Sequence, residues 1–124
     1  MKITIVLGSV RKERQSFRLA YYLQQRLLEK RIGTDLIDLA KTPLPVFGQE
    51  VREEAHVEPM GLQLQQSDAL IFVTPEYHGS FSGALKNALE YYWEEFYRKP
   101  IGVATASGGK MGGINASSQL QHVI

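Results

Sequence analysis

Residues 3–28, ITIVLGSVRKERQSFRLAYYLQQRLL, decide the fold class. Residues 3–7 are rich in β-branched side chains and are followed by Gly8, a pattern typical of a strand buried on both faces of a parallel sheet. A polar, basic loop continues to Ser16. Apolar residues then recur every three or four positions over residues 17–28, which predicts an amphipathic helix with Ser16 as its N-cap. The stretch therefore predicts a strand, a loop and a helix, the order of an α/β unit.

The same alternation continues to the end of the chain. Further strands are predicted at 34–39, 69–74 and 100–106, and further helices at 59–66, at 82–96 and from 114 onward. Gly33 is expected to end the first helix, and Ser82 is expected to cap the helix at 82–96. Strands that alternate with helices predict an α/β fold with a parallel sheet and right-handed crossovers.

Composition excludes several classes of protein. A chain of 124 residues, 44% hydrophobic and 22% charged, fits one globular domain over residues 1–124. The net charge of +1 gives no reason to expect nucleic acid or a membrane as partner. There are no cysteines, and His56, His78 and His122 lie far apart, so no metal site is expected. No apolar stretch is long enough for a signal peptide or a membrane span, so we expect a cytoplasmic protein.

Three loops follow predicted strand ends, the edge at which parallel sheets bind ligands. The first, residues 8–16, offers hydroxyls, guanidinium groups and backbone amides at the start of a helix, which is the chemistry of a phosphate site. Arg11 and Arg14 could each add a charge-assisted bond of about 1.5–3 kcal/mol. On this loop alone, a solvated basic loop explains the sequence equally well. Asp38 ends the second predicted strand, but without a G-x-G-x-x-G motif it is better interpreted as a polar strand-end residue than as a ribose ligand.

The loop after the third strand carries a family signature. Residues 74–88, TPEYHGSFSGALKNA, resemble the PEYN-x-S-x-x-G-x-L-K-N-A motif of the NADPH-dependent FMN reductases, a family that includes azo, quinone and chromate reductases. Residues 8–16 are similar to that family's G-S-x-R-x-x-x-x-S loop, and residues 104–113 to its S-x-G-x-x-G-G loop. The three motifs occur in order on three predicted strand ends, and the resemblance covers essentially the whole chain.

The resemblance implies a flavodoxin-like three-layer sandwich with sheet order 2-1-3-4-5. The chain ends within the fourth crossover helix, so the fifth strand and the last helix are expected to be missing, as in a C-terminally truncated domain. The implied activity is hydride transfer from NADPH or NADH through bound FMN to a flavin, quinone, azo compound or metal oxyanion. The alternatives are a flavin-binding electron carrier without NAD(P)H turnover and an inactive, truncated scaffold subunit.

The resemblance also implies site residues. Ser9, Arg11 and Ser16 are expected to hold the FMN phosphate. Arg14 and Phe17 are also expected among the cofactor-binding residues of the first loop, although a solvated side chain explains Arg14 equally well. Those lining the ring are Pro75, Glu76, Tyr77 and His78, and those approaching it from the fourth-strand loop are Ser107, Gly108 and Gly109. The ring contacts are expected to be mostly backbone groups, and His78 stands where the family usually has Asn. No side chain is expected to be catalytic, because the flavin carries the chemistry.

The helix at 82–96 is also expected to take part in assembly. It carries more aromatic residues than one buried face can hold, so Tyr91 and Trp93 are expected to lie exposed or to pack against a second subunit. Lys86 and Asn87 are expected at the helix surface or at a subunit contact. The resemblance implies a homodimer or homotetramer, because related proteins assemble through this helix.

Overall fold

The computed structural model describes residues 1–49 and 56–124. Its elements in chain order are β1 (Lys2–Leu7), α1 (Ser16–Glu29), β2 (Gly33–Asp38), α2 (Val57–Gln65), β3 (Ala69–Pro75), α3 (Gly83–Tyr91), a 3-10 turn (Glu94–Phe96), β4 (Ile101–Ala106) and α4 (Ile114–Val123). The predicted alternation of strands and helices is confirmed. Within the described residues, no helix combines the length and apolar character that crossing a bilayer requires.

All strand pairs in the sheet are parallel, and the strand order is β2-β1-β3-β4. This order confirms the predicted flavodoxin-like arrangement over the four strands among the described residues. Leu7 pairs with Asp38 on one side and with Val73 on the other, and Pro75 pairs with Ala106. Leu7, Pro75 and Ala106 end their strands, and Val73 lies two residues before the end of β3, so the loops after β1, β3 and β4 leave the sheet at the same edge.

Two apolar clusters hold the layers together. On one face of the sheet, Ala20 of α1 packs with Ile5, Leu7 and Val73. On the other face, side chains of α2, α3 and α4 pack around Phe72, which is fully buried. Burial of each large apolar side chain contributes about 1.5–3 kcal/mol. β1 supplies residues to both clusters, as predicted for a strand covered on both faces.

The ends of α1 differ from the prediction. Gln15, not Ser16, occupies the N-cap position, and the helix begins at Ser16 without a side-chain cap. Gly33 does not end the helix either, because it is the first residue of β2. Arg31 adopts the left-handed conformation after the last turn (φ +59°), a position for which glycine is the more usual residue. The predicted N-cap (Ser16) and the predicted end of the helix (Gly33) are therefore wrong, although the helix itself is confirmed.

The predicted helix at 82–96 is shorter than expected. Ser82 caps it as predicted, with its Oγ accepting a hydrogen bond from the amide of Leu85. The helix ends at Tyr91, because the extended backbone of Tyr92 turns its buried ring inward, where its hydroxyl donates to the carbonyl of Val57. Trp93 is 75% exposed, as expected. Tyr91 is half-buried and donates to the carbonyl of Pro45, so full exposure is wrong, and its packing against a second subunit stays a prediction.

Asn87 of α3 binds the segment after β2. Its Oδ1 accepts from the amide of Phe47 at 2.8 Å, and its Nδ2 donates to the carbonyl of Pro45 at 2.8 Å. Asn87 is half-buried and its amide fixes residues 44–47 of this chain against α3, so its predicted position at the helix surface is wrong, and its contact with a second subunit stays a prediction. Lys86 is exposed and pairs with Glu90 one turn later, in agreement with its predicted surface position.

Candidate functional site

The loop after β1 rests on the start of α3. The amide of Gly8 donates to the carbonyl of Val73 at 2.8 Å, and Ser82 Oγ donates to the carbonyl of Gly8. A Cβ at position 8 would lie 2.9 Å from Cβ of Leu85, so only glycine fits this close approach without movement. The first and third loops are thus held together by direct hydrogen bonds.

A pocket of ≈ 290 Å³ lies between these two loops. It is lined by Gly8, Val10, Arg11, Tyr77, Ser82, Gly83 and Ala84. Its position at the carboxyl edge of the sheet is the position at which α/β sheets bind their ligands. Arg11 and Tyr77, both predicted site residues, contribute to this one pocket.

Two hydroxyl groups in the first loop are buried without a partner. Ser9 is 1% exposed and Ser16 is 3% exposed, and among the described residues neither Oγ has a hydrogen-bond partner. A buried polar group without a partner costs about 1–3 kcal/mol, so native proteins rarely retain one without a reason. Both belong to the predicted phosphate loop, at the start of α1. Two free hydroxyls beside a helix N-terminus fit the oxygens of a phosphate monoester.

Arg14 is committed to a protein partner. Its guanidinium forms a bidentate pair with the carboxylate of Asp38 and donates to the carbonyl of Ser9. Its Cζ lies 5.6 Å from the ring centre of Phe17. The side chain of Asp38 is 5% exposed and also accepts from the amide of Ala40, which agrees with the interpretation of Asp38 as a strand-end residue. Arg14 therefore ties the first loop to the end of β2, and its contact with a phosphate stays a prediction.

Arg11 differs from Arg14 in both exposure and pairing. It is exposed at the mouth of the pocket and forms no salt bridge with any of the described residues. The charges of Arg14 and Asp38 offset each other. Of the two arginines in this loop, Arg11 is therefore the one whose positive charge can attract an anion.

The third loop is a tight turn. Tyr77 and Ser80 exchange two backbone hydrogen bonds, of 2.9 and 3.0 Å, across His78 and Gly79. Both central residues have positive φ, +50° and +70°, which is the geometry of a type I′ turn. Asn is the preferred residue at the first central position, and His is among the few others that adopt this conformation readily. His78 is therefore a conservative backbone replacement for the family's Asn.

The fourth loop is shaped by glycine. Gly112 and Gly113 have φ of +63° and +85°, and Thr105 Oγ1 donates to the carbonyl of Gly112 at 2.8 Å. Farther out, the amide of Gly109 donates to Ser107 Oγ. Ser107, Gly108 and Gly109 are exposed at the same edge of the sheet as the first and third loops. Their predicted contact with a flavin ring stays a prediction.

Glu76 links the third and fourth loops, a role that the sequence did not suggest. Its amide donates to the carbonyl of Ala106 at 3.3 Å, and its Oε2 accepts from the amide of Ala116 at 3.1 Å. The prediction assigned Glu76 a mainly backbone role at the ring. No short-range signal marks the second bond, because the two residues lie 40 positions apart.

Lys99 lies just before β4, at the opposite edge of the sheet from these loops. Burial lowers the pKa of Lys99, and the nearby carboxylates of Glu95 and Asp68 oppose that effect. Its Nζ donates to the carbonyls of Leu64 and Gln65, the last residues of α2, so it stabilises a helix end. In the described part of the chain, no group of three or more His, Cys, Asp or Glu side chains could hold a metal ion.

Comparison with known proteins places the fold and the family. The model of the NADPH-dependent FMN reductase family matches residues 1–124. The chain is 31% identical over 131 positions to an NAD(P)H-dependent FMN reductase of Schizosaccharomyces pombe, a match that covers 98% of this chain and 64% of that protein. It is 33% identical over 123 positions to an NADPH azoreductase of a Bacillus species, covering 97% of this chain and 66% of that protein.

Solved structures agree with this result. The flavoenzyme FerB of Paracoccus denitrificans, an NAD(P)H:(acceptor) oxidoreductase, superposes with a TM-score of 0.80 at 26% identity, over 98% of this chain and 69% of that one. The apo form of an NADH:FMN oxidoreductase shares the fold, with a TM-score of 0.84 at 20% identity, over 98% of this chain and 66% of that one. The chain thus spans about two thirds of the length of these relatives. It belongs to the NADPH-dependent FMN reductase family.

Proposed function

We propose that the protein is an FMN-dependent oxidoreductase that passes hydride from NAD(P)H, through bound FMN, to a small-molecule acceptor. The observation that carries the proposal is that the buried hydroxyls of Ser9 and Ser16, in the predicted phosphate loop, have no hydrogen-bond partner in the part of the chain that the structure describes. A doubly charged monoester would satisfy both and would also be attracted to Arg11 and to the N-terminus of α1. The family membership of the chain supports the same cofactor.

The residues of the site would bind and orient the cofactor. Ser9 and Ser16 would donate their hydroxyl hydrogens to phosphate oxygens, and the exposed guanidinium of Arg11 would add a charge-assisted bond. Bound FMN would supply the redox chemistry, as hydride acceptor from NAD(P)H and electron donor to the substrate. The backbone of residues 75–78 and 107–109 would lie along the ring. The amides of His78, Ser107 and Gly108 are not used in hydrogen bonds among the described residues, so they would donate to the ring without introducing a titrating group. No side chain is needed as nucleophile or base.

The proposed acceptor is one of the classes that the family resemblance implies: a flavin, a quinone, an azo compound or a metal oxyanion. The third and fourth loops carry small and exposed residues such as Gly79 and Gly108, which would leave an acceptor room to approach. NADPH and NADH both remain candidates as hydride donor. We place the reaction in the cytoplasm, with small molecules rather than nucleic acid or a membrane as partners.

Assembly into a homodimer or homotetramer is also part of the proposal. An apolar groove of ≈ 630 Å³ runs between α3, the 3-10 turn and the end of α4. Trp93 and Tyr97 on its rim are 75% and 70% exposed, and Phe47 is 50% exposed. Large exposed apolar side chains around one groove are typical of a protein interface.

The visible spectrum of the purified protein tests the proposal. After incubation with FMN and removal of free flavin, the protein should be yellow, and anaerobic mixing with NADPH or NADH should bleach the flavin band. An electron carrier would bind FMN and bleach only when a partner reductase is added. A colourless protein that retains no FMN would contradict the proposal and favour an inactive scaffold subunit.

A further inference from the structure

The first turn of α4 has no cap of its own. Its N-cap residue is Gly113, which has no side chain and a left-handed backbone (φ +85°). The first amides of a helix have no partner within the helix, so they need an acceptor from elsewhere. In most helices, a Ser, Thr, Asp or Asn at the N-cap supplies that acceptor.

No capping residue can replace Gly113. A Cβ at this position would lie 2.8 Å from Cβ of Thr105 and 2.9 Å from its Oγ1, and the positive φ disfavours any residue with a side chain. The fourth loop must make this turn to pass the end of β4. The amide of Ile114 donates to the carbonyl of Met111 at 3.2 Å, so it is the next amides of the first turn that need an acceptor from another element.

Glu76 supplies that acceptor. Its Oε2 lies 3.1 Å from the amide nitrogen of Ala116, the third residue of α4, which is the amide that an N-cap side chain usually takes. A carboxylate at a helix N-terminus is further stabilised by the helix dipole. Glu76 directly follows β3, and its own amide donates to Ala106 at the end of β4. One residue thus joins the third loop to both ends of the fourth.

We propose that Glu76 is a positioning residue whose carboxylate caps α4 and thereby holds residues 107–113 against residues 75–78. The inference rests on the proposed function, since these two segments are the ones expected to border the flavin ring. The cap orders both segments before the ring arrives, so that binding does not have to order them. Glu76 acts through the amide of Ala116 and needs no contact with the flavin.

Amide hydrogen exchange in the FMN-free protein tests the cap itself. Glu76→Ala should reduce the protection of the Ala116 amide about five- to tenfold, the equivalent of about 1–1.4 kcal/mol. Glu76→Gln keeps an oxygen acceptor and should keep most of the protection. Glu94→Ala, which removes an exposed glutamate from the 3-10 turn, is the matched control and should change nothing. Unchanged protection in Glu76→Ala would overturn the proposal.

Flavin titrations test the consequence for the ring. Glu76→Ala should raise the Kd of FMN and the Kd of riboflavin by the same factor, about five- to tenfold, while Glu76→Gln stays close to the wild type. A purely structural role would lower the melting temperature and leave the riboflavin Kd of the folded protein unchanged, which would overturn the proposal. Loss of FMN binding alone would also overturn it, because that pattern belongs to the phosphate loop. If the wild type bound neither flavin, the proposed function would fail, and the exchange data would still report on the cap.

Discussion

At the scale of single residues, the hydroxyls of Ser9 and Ser16 are expected to favour FMN binding and to lower the free energy of unfolding of the protein. Neither buried hydroxyl has a hydrogen-bond partner among residues 1–49 and 56–124, so Ser9→Ala and Ser16→Ala should each raise the free energy of unfolding measured without FMN, by up to about 1 kcal/mol. Each should also weaken FMN binding by about 1–2 kcal/mol, because a hydrogen bond to a charged phosphate is lost. Urea unfolding and flavin fluorescence titration measure the two effects.

The control for these variants is Ser118→Ala, which removes an exposed hydroxyl from α4. It should leave the FMN Kd unchanged and should raise the free energy of unfolding only by the gain in helix propensity, up to about 0.5 kcal/mol. A destabilised FMN-free Ser9→Ala protein would mean that the hydroxyl already has a partner in the free fold, and the argument for a phosphate cradle would lose its main support.

Arg11 should matter for the phosphate alone. Arg11→Ala should weaken FMN binding by about 1.5–3 kcal/mol and leave riboflavin binding nearly unchanged, because riboflavin lacks the phosphate. Lys12→Ala removes an exposed charge from the same loop. It should have a much smaller effect on the FMN Kd, because Lys12 does not line the pocket. An FMN Kd that Arg11→Ala does not change would remove Arg11 from the phosphate site.

Arg14 should matter first for stability. Arg14→Ala leaves the carboxylate of Asp38 nearly buried without its cation, which should lower the free energy of unfolding by about 2–4 kcal/mol. The double variant Arg14→Ala/Asp38→Ala should be less destabilised than the sum of the two single variants, because it leaves no unpaired charge. Urea unfolding of the four FMN-free proteins gives the coupling energy, and a value near zero would mean that the ion pair does not brace the loop.

At the scale of the elements, Asn87 fixes the segment after β2 to α3. Asn87→Ala removes the bonds to Phe47 and Pro45, which should lower the free energy of unfolding by about 1–3 kcal/mol and speed amide exchange at Phe47. Lys86 is the exposed neighbour of Asn87. Lys86→Ala should change the free energy of unfolding by no more than about 0.5 kcal/mol and should leave amide exchange at Phe47 unchanged. Equal exchange rates at Phe47 in the two variants would show that the segment is held by other contacts.

The elements also show what a sequence can and cannot predict. The strands, α1 and α3 could be predicted from apolar periodicity and turn residues, which are local features of the sequence. The three loops could be predicted from a family signature. The end of α3 at Tyr91 could not, because it depends on a hydrogen bond from Tyr92 to Val57 on another helix. Arg14 meets Asp38 across 24 positions and Glu76 meets Ala116 across 40, so neither contact leaves a pattern in the local sequence. That the hydroxyls of Ser9 and Ser16 are buried with no hydrogen-bond partner among the described residues is likewise visible only in the folded structure.

At the scale of the whole molecule, the proposed site is assembled from loops on three different strands, so the ligand should stabilise the entire fold. FMN is expected to bind only the folded state, and at a free concentration of 100 times its Kd it should add about 2.7 kcal/mol to the free energy of unfolding. The melting temperature should therefore rise with the logarithm of FMN concentration. Riboflavin should give a smaller shift at the same concentration, since Ser9, Ser16 and Arg11 would contribute nothing to its binding. Equal shifts from FMN and riboflavin would mean that the first loop does not hold the phosphate, even if the ring binds at the other two.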